Sequence, residues 1–457
     1  MTVLTVNQIY KTKVKLFDSS KDYKVLEKVK EVEVFKNKGN EIFFDLKLNR
    51  EGTIYVSVNK SDKEEIRTLA YKLAKKLNSE KVKKVTLDGK GFKDIMPSFL
   101  EGLLMSNYSF TYKKETPKFE TEISLLNVDT NLLEEMTNLV NGVFVTRDLV
   151  NTPAIDLYPE TYANKVVELF KGTNVEVQVL GLKEIQELNM HALLAVNVGS
   201  DKEPRFIVLK YLPNKDQKEH LTIVGKGVTY DTGGYALKPA TSMVNMHNDM
   251  AGSAVVVGLF KALNDNSVNQ NVVGVMALTE NMISGKAYKN GDIISSMKGL
   301  TIEVGNTDAE GRLTLADALY YAATKLNSTK IIELSTLTGA CVVALGTDIA
   351  GAVSTDDQLY NEVHKYSVEN GELIWRLPIT DPLKEAVNGT FGDLKNSIPG
   401  GAGAITAGIF LTHFVEEKPF LHIDIAGPAH GRKRRYYEEG GTGFGVKTLY
   451  SYIKGLK

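Results

Sequence analysis

The feature that most constrains the fold is a series of short, continuous apolar segments in the later part of the chain: 205-RFIVLKYL-212, 221-LTIVGKG-227, 271-NVVGVMAL-278, 330-KIIELSTL-337 and 421-LHIDIAG-427. Each is the size of a strand, and helical stretches separate them. Apolar residues that run on without alternation need cover on both faces, which a mostly parallel sheet between layers of helices supplies. The expected fold class is therefore α/β. In such sheets ligands bind beyond the carboxyl ends of the strands, so the polar residues that follow these segments carry the functional information.

The first third alternates in the same way. Strand-like 42-IFFDLKL-48 and 53-TIYVSVN-59 precede 61-SDKEEIRTLAYKLAKKL-77, where Ile66, Leu69, Ala70, Leu73, Ala74 and Leu77 repeat at helical spacing. Ser61 with Glu64 reads as a capping box. A strand at 82-VKKVTL-87 and a helix over 93–106 follow, and 130-TNLLEEMTNLVNGVFVTRDLV-150 predicts a long helix that stops ahead of Pro153. These boundaries predict a smaller N-terminal α/β domain at 1–128, a connecting helix at 129–152 and a larger α/β domain with a mostly parallel central sheet at 153–457. A chain of 457 residues is too long for one ordinary core, in agreement with that division.

Composition narrows the partners. Apolar residues at 43% and charged residues at 24% suit a soluble globular protein. Lysine and arginine total 55 against 56 acids, so no global field draws the chain to nucleic acid or an anionic membrane, and a small neutral or zwitterionic substrate is expected. The single cysteine, Cys341, forms no internal disulfide, and MTVLTVNQIYKTKVK lacks the pattern of a secretory signal. No apolar run approaches the roughly 18 residues needed to span a bilayer. A cytoplasmic location without a membrane partner is the expectation. The run 432-RKRR-435 has no interleaved aromatics and reads as a solvated loop.

Two loops stand apart. In 305-GNTDAEGRLTLADALYYAATKL-326, an extended backbone would put Asp308, Glu310 and Arg312 on one face. Past Gly311, Leu315, Leu319, Ala322 and Leu326 follow the spacing of a helix with one buried stripe, so the acids are expected in the turn that feeds it, after 299-GLTIEVG-305. The second loop, 224-VGKGVTYDTGGYALKPATSMVNMHNDMAGSAVVVGLF-260, holds Lys226, Asp231, Lys238 and Asp249. Its Gly-Lys-Gly is not a phosphate loop, because no glycine-rich stretch precedes it and Gly227 stands where a hydroxyl residue is required. Taken singly, each aspartate fits a turn or a helix cap. Their accumulation does not. Four carboxylates without a Cys/His cluster suit hard or borderline divalent cations, and a carboxylate-bridged pair of metals activates water for hydrolysis. One lysine beside such ions would lose its proton and could itself be a ligand, while the other could stay cationic and hold an oxyanion.

At these residues the chain resembles the leucyl (cytosol) aminopeptidase family of dimetal exopeptidases. The heptapeptide 306-NTDAEGR-312 is unbroken, and the spacing of Lys226, Asp231, Lys238 and Asp249 also matches. Further matches lie at 101-EGLLMSNYSFTYK-113, 147-RDLVNTPA-154, 336-TLTGACVVALG-346, 371-GELIWRLP-378 and 441-GTGFGV-446, while the first 90 residues match only in character. The resemblance implies a metalloaminopeptidase with two divalent ions per subunit, zinc, manganese, cobalt or magnesium. It implies that Lys226, Asp231, Asp249 and Glu310 hold the tighter ion, and that Asp231, Asp308 and Glu310 hold the exchangeable one. Lys238 would polarise the scissile carbonyl, and Arg312 would hold a bicarbonate that serves as base. Met246, Thr336, Gly339 and Ala426 would line a pocket for a Leu-like first side chain, and Ala429, where some relatives carry methionine, would leave that pocket roomier. Peptides with a free N-terminus are the implied substrates, and a homohexamer built as a dimer of trimers is the implied assembly.

Two other functions fit the sequence less well. A two-metal phosphoesterase would share the carboxylate-bridged ions, but such sites usually add histidines, and none of the seven histidines lies in the NTDAEGR block. A DNA-binding or scaffolding role fits poorly with a net charge of −1.

Overall fold

The computed structural model describes residues 1–18, 41–46, 51–114, 119–217 and 219–456. Within them the chain forms two compact units, Met1–Val140 with Arg432–Glu439, and Asn141–Gly431 with Gly440–Lys457. The last two residues of the strand expected at 42–48 lie outside the described residues.

The first unit carries a six-stranded sheet of β1 (Thr2–Val6), β2 (Lys13–Asp18), β3 (Ile42–Leu46), β4 (Gly52–Val58), β5 (Lys84–Asp88) and β6 (Thr121–Leu126), in the order β1-β6-β5-β2-β4-β3. All neighbours are parallel except β3 and β4. Helices α1 (Lys63–Ser79) and α2 (Met96–Met105) belong to this unit, where the buried Arg67 of α1 reaches Glu101 of α2 at 2.6 Å. The cap of α1 is Asp62 and not Ser61: its carboxylate accepts from the backbone N–H of Glu64 and Glu65, at 2.9 and 3.0 Å. An ionised acid at the helix start satisfies two free N–H groups and favours the dipole, which a serine one residue earlier cannot do. Helix α3 (Thr130–Asn151) is continuous, and the division between the two units falls within it.

The second unit is built on an eight-stranded sheet. Its strands are β7 (Val175–Leu180), β8 (Arg205–Tyr211), β9 (His220–Asp231), β10 (Val272–Asn281), β13 (Ser328–Ser335), β14 (Ala350–Ser354), β15 (Ile374–Arg376) and β17 (Phe420–Asp424), ordered β15-β14-β17-β13-β9-β10-β8-β7. The centre, β17-β13-β9-β10, is parallel throughout. The segment at 205–212 departs from the expected direction, since β8 runs antiparallel to both β7 and β10. A second departure concerns 299–305, of which only β12 (Thr301–Glu303) is a strand. It joins β11 (Ile293–Ser295) and β16 (Leu394–Lys395) in a separate three-stranded sheet.

Strand β9 is buried along nearly its whole length, as a strand covered on both faces must be. Helix α4 (Ala251–Asp265) packs so closely on one face that a Cβ on Gly252 would lie 2.0 Å from the carbonyl oxygen of Leu334, and one on Gly225 would lie 2.5 Å from that of Gly252. The glycine before Lys226 is therefore a packing residue. Helix α5 (Gly311–Lys325) joins Val224, Ile331 and Phe420 in the main apolar core. Because it is enclosed, α5 is buried on almost every side and does not show the single stripe expected of it. Two further helices, α6 (Gly339–Leu345) and α7 (Gly403–Thr412), follow β13 and precede β17.

Candidate metal centre

The two loops singled out in the sequence meet at the carboxyl ends of β9 and β10. Lys226 lies within β9, and Asp231 is its last residue. Gly233 and Gly234 then turn the chain with φ of +85° and +60°, values that favour glycine. A Cβ on Gly233 would in addition lie 2.8 Å from Oδ1 of Asp308. Asp249 follows a short 3-10 turn, Met246–Asn248, just ahead of α4.

The segment 306–310 is the turn expected ahead of the helix, and Glu310 already has the helical φ of −73° and ψ of −36°. The acids converge through tertiary folding. The tight turn is held by Asn396, whose side chain donates to Asn306 O at 2.7 Å and accepts from Gly305 N–H at 2.8 Å. Thr307 donates to Gly233 O at 2.7 Å and accepts from Ala236 N–H at 2.8 Å, which joins the two loops. A Cβ at the next position, Gly311, would lie 2.5 Å from Cε of Lys226 and would push against that side chain.

Lys226 and Lys238 share the four carboxylates. The Lys226 ammonium stands 2.7 Å from Oδ2 of Asp249 and 2.9 Å from Oε1 of Glu310. It also donates to Asp249 Oδ1 at 2.8 Å and to the Thr336 carbonyl at 3.1 Å. Lys238 stands 2.9 Å from Asp231 and 2.5 Å from Asp308. Ligand oxygens of Asp231, Asp308 and Glu310 lie within 4.8 Å of one another. Thr336 joins this group directly, its hydroxyl donating to Asp249 Oδ1 at 2.8 Å. Ala426 and Gly339 flank the same segment, Ala426 in the turn after β17 and Gly339 as the first residue of α6. Met246 stands three residues before Asp249.

The electrostatics follow from this packing. Burial, reinforced by Glu310, pushes Asp231 up to about 6, and burial with Glu310 raises Asp249 well above the carboxylate range. Burial opposes charge on Glu310 as well, but the two lysines outweigh it and hold its carboxyl below its usual value. Burial works against the Lys226 and Lys238 ammonium groups, and the surrounding carboxylates overcome it and keep both protonated. Arg312 is pushed down to about 10 by burial, which Glu310 and Asp424 only partly offset. Among the described residues Arg312 makes no hydrogen bond or ion pair, and its Nε is buried without a partner. A buried guanidinium in that state suits a small anion.

The donor set fits divalent cations. It offers several carboxylate oxygens, of which Glu310 Oε2 is buried with no hydrogen-bond partner, and hard cations take such ligands. One residue near the centre was not singled out in the sequence: Asn281, the last residue of β10. It donates to Asp231 Oδ1 at 2.8 Å and to Thr307 O at 3.1 Å, and nothing in the sequence distinguished it from an ordinary residue at a strand end.

A largely buried acidic cluster at the carboxyl ends of parallel strands is a candidate metal site of an α/β enzyme. Residues 144–450 match the model of the cytosol aminopeptidase family, catalytic domain. The "Probable cytosol aminopeptidase" of Clostridium tetani is 44% identical over 98% of this chain and 96% of its own length, and that of Treponema denticola is 43% identical over 93% of each. Among solved structures, "Bottromycin maturation enzyme BotP in complex with Mn" superposes with a TM-score of 0.88 at 27% identity, over 97% of this chain and 99% of BotP. The chain belongs to the cytosol aminopeptidase family and is a metallo-exopeptidase, a hydrolase. Among the described residues no helix is long and apolar enough to cross a membrane.

Proposed function

We propose that this enzyme removes a Leu-like hydrophobic residue from the N-terminus of peptides, using two divalent ions held by Lys226, Asp231, Asp249, Asp308 and Glu310. The observation that carries this reading is the position of Glu310, whose carboxylate pairs with Lys226 and also lies in the Asp231 and Asp308 group. One acid thus stands between two sets of ligands. Bound ions of this kind act as Lewis acids and lower the pKa of water toward neutrality.

The chain's own groups supply the rest. Lys238, held on the acidic edge by Asp231 and Asp308, donates to the scissile carbonyl oxygen as negative charge develops there. Lys226 would hold an ion as the neutral amine, and a nearby dication would favour loss of its proton. Arg312 would hold a bicarbonate beside the cluster with a guanidinium that makes no hydrogen bond or ion pair among the described residues. Asp249 receives the substrate's free amino group, and Met246, Thr336, Gly339 and Ala426 line the pocket for the first side chain. Residues 129–152 serve as the connector between an N-terminal domain at 1–128 and the catalytic domain at 153–457. A homohexamer and a cytoplasmic location complete the proposal.

Recognition of the free amine sets the register of the scissile bond, and a misplacement of about 1 Å costs roughly 10²-fold in rate. Hydrolysis of Leu-amide and Leu-Gly is expected, with essentially none of their N-acetyl forms. Comparable rates on blocked and free substrates, measured with one preparation, would contradict the exopeptidase register.

A further inference from the structure

Asp424 is the last residue of β17, is 1% exposed, and has no part in the chemistry proposed above. Its carboxylate is nevertheless fully engaged. Oδ1 accepts from the backbone N–H of Leu337 at 3.2 Å and of Ala426 at 3.1 Å, and Oδ2 accepts from the Thr338 hydroxyl at 2.6 Å. Thr338 in turn caps α6, its hydroxyl oxygen accepting from Cys341 N–H at 3.0 Å. The helix therefore already has its own cap, and Asp424 does not fill that place.

What Asp424 grips is the pair of residues directly after Thr336. Thr336 is the residue that touches the metal centre from this side: its hydroxyl donates to Asp249 Oδ1 at 2.8 Å, and its carbonyl accepts from Lys226 Nζ at 3.1 Å. Both bonds depend on where the 336–338 backbone lies. A loop at a strand end has no ladder to hold it, and two bonds from one buried carboxylate to consecutive residues, Leu337 and Thr338, supply that restraint.

We propose that Asp424 is a positioning residue for the metal centre, holding segment 336–338 so that Thr336 orients Asp249 and Lys226. The proposal rests on the assignment of Asp249 and Lys226 as ligands. Its consequence falls on the ion that those two residues hold, and less on the one at Asp308, which is reached from the opposite loop.

The test titrates Mn²⁺ alone into the chelator-stripped, full-length protein by calorimetry, with electron paramagnetic resonance of Mn²⁺ in parallel. Wild type is expected to take up two ions and Glu310→Gln to lose tight uptake; equal uptake by that variant would overturn the ligand assignment itself. With that arm secure, Asp424→Ala is expected to weaken the tighter event by about 10-fold to 100-fold, the range for lost partners of metal ligands. Asp424→Asn should weaken it less, because its amide oxygen still accepts from Leu337 and Ala426, and this shape-preserving variant decides the matter if the alanine variant does not fold. Thr336→Val, at the other end of the link, should weaken the same event. Combining it with Asp424→Asn should cost less than the two separate losses multiplied, as residues acting through one contact do. A merely structural aspartate would lower the melting temperature and leave Mn²⁺ affinity alone. Unchanged affinity in both Asp424→Asn and Thr336→Val, or fully multiplicative losses, would overturn the proposal.

Discussion

Lys226 and Lys238 have the same charge and different surroundings, and burial separates them. Lys226 has a side chain 3% exposed, enclosed between Asp249 and Glu310, whereas that of Lys238 is 15% exposed and lies on the side of Asp308, which is 31% exposed. The more accessible lysine, Lys238, is the one to which the proposed function gives the substrate oxygen. Lys238→Ala is expected to lose about 10²–10³ in kcat with a smaller change in KM, since a donor to a developing oxyanion acts mainly in the transition state. Steady-state kinetics on Leu-amide would show it, and a pure KM effect would remove Lys238 from that role. The identity of both lysines was legible in the sequence through their spacing from the aspartates. Which acid each one meets was not, because two of the pairings, Lys226 with Glu310 and Lys238 with Asp308, cross to the other loop, the first over 84 positions. Asn281 escaped for a related reason: an asparagine at a strand end is an ordinary turn residue until its amide is seen to reach Asp231.

At the scale of elements, the central strands were legible because continuous apolar runs leave few alternatives, and their order was not. Strand direction at β8 depends on its neighbours β7 and β10, and nothing in its own residues specifies it. The same sheet contains a feature that apolar patterning hides. Glu333 of β13 and His422 of β17 are register partners, both fully buried, with His422 Nδ1 and Glu333 Oε2 2.5 Å apart. Burial pulls the His422 imidazole down, but Glu333, with help from Asp424 and against Arg312, outweighs it and raises its pKa. A raised folded-state value means that the pair's stabilisation is fully present below the unfolded value of about 6.5 and is lost as pH rises through the higher folded one. His422→Gln should therefore flatten the fall in stability above that point. Denaturant midpoints across a pH series for both proteins check this, and parallel curves would show that the pair titrates alike in both states.

The whole molecule carries a net charge of −1, and its metal centre repeats that balance locally, with four acids against Lys226, Lys238 and Arg312. Each of the four carboxylates stands within 3 Å of a lysine ammonium. Carboxylates buried as anions without such partners would cost several kcal/mol apiece and would make folding wait for the metal, as it does in zinc fingers. Here lysines stand against those acids, so the chain is expected to fold before loading and any bound ions to add stability afterwards. Binding to the folded state alone contributes RT ln(1 + [L]/Kd), about 2.7 kcal/mol at 100 times Kd. The chelated protein is therefore expected to melt cooperatively, and its midpoint to climb with the logarithm of Mn²⁺ concentration. Glu310→Gln leaves Lys226 paired with Asp249 and should keep a cooperative transition while losing most of the climb. Thermal melts of both proteins over a Mn²⁺ series separate the possibilities. An unfolded chelated wild type would mean that the lysines do not suffice, and an equal climb in both would place the stabilising ions somewhere other than at Glu310.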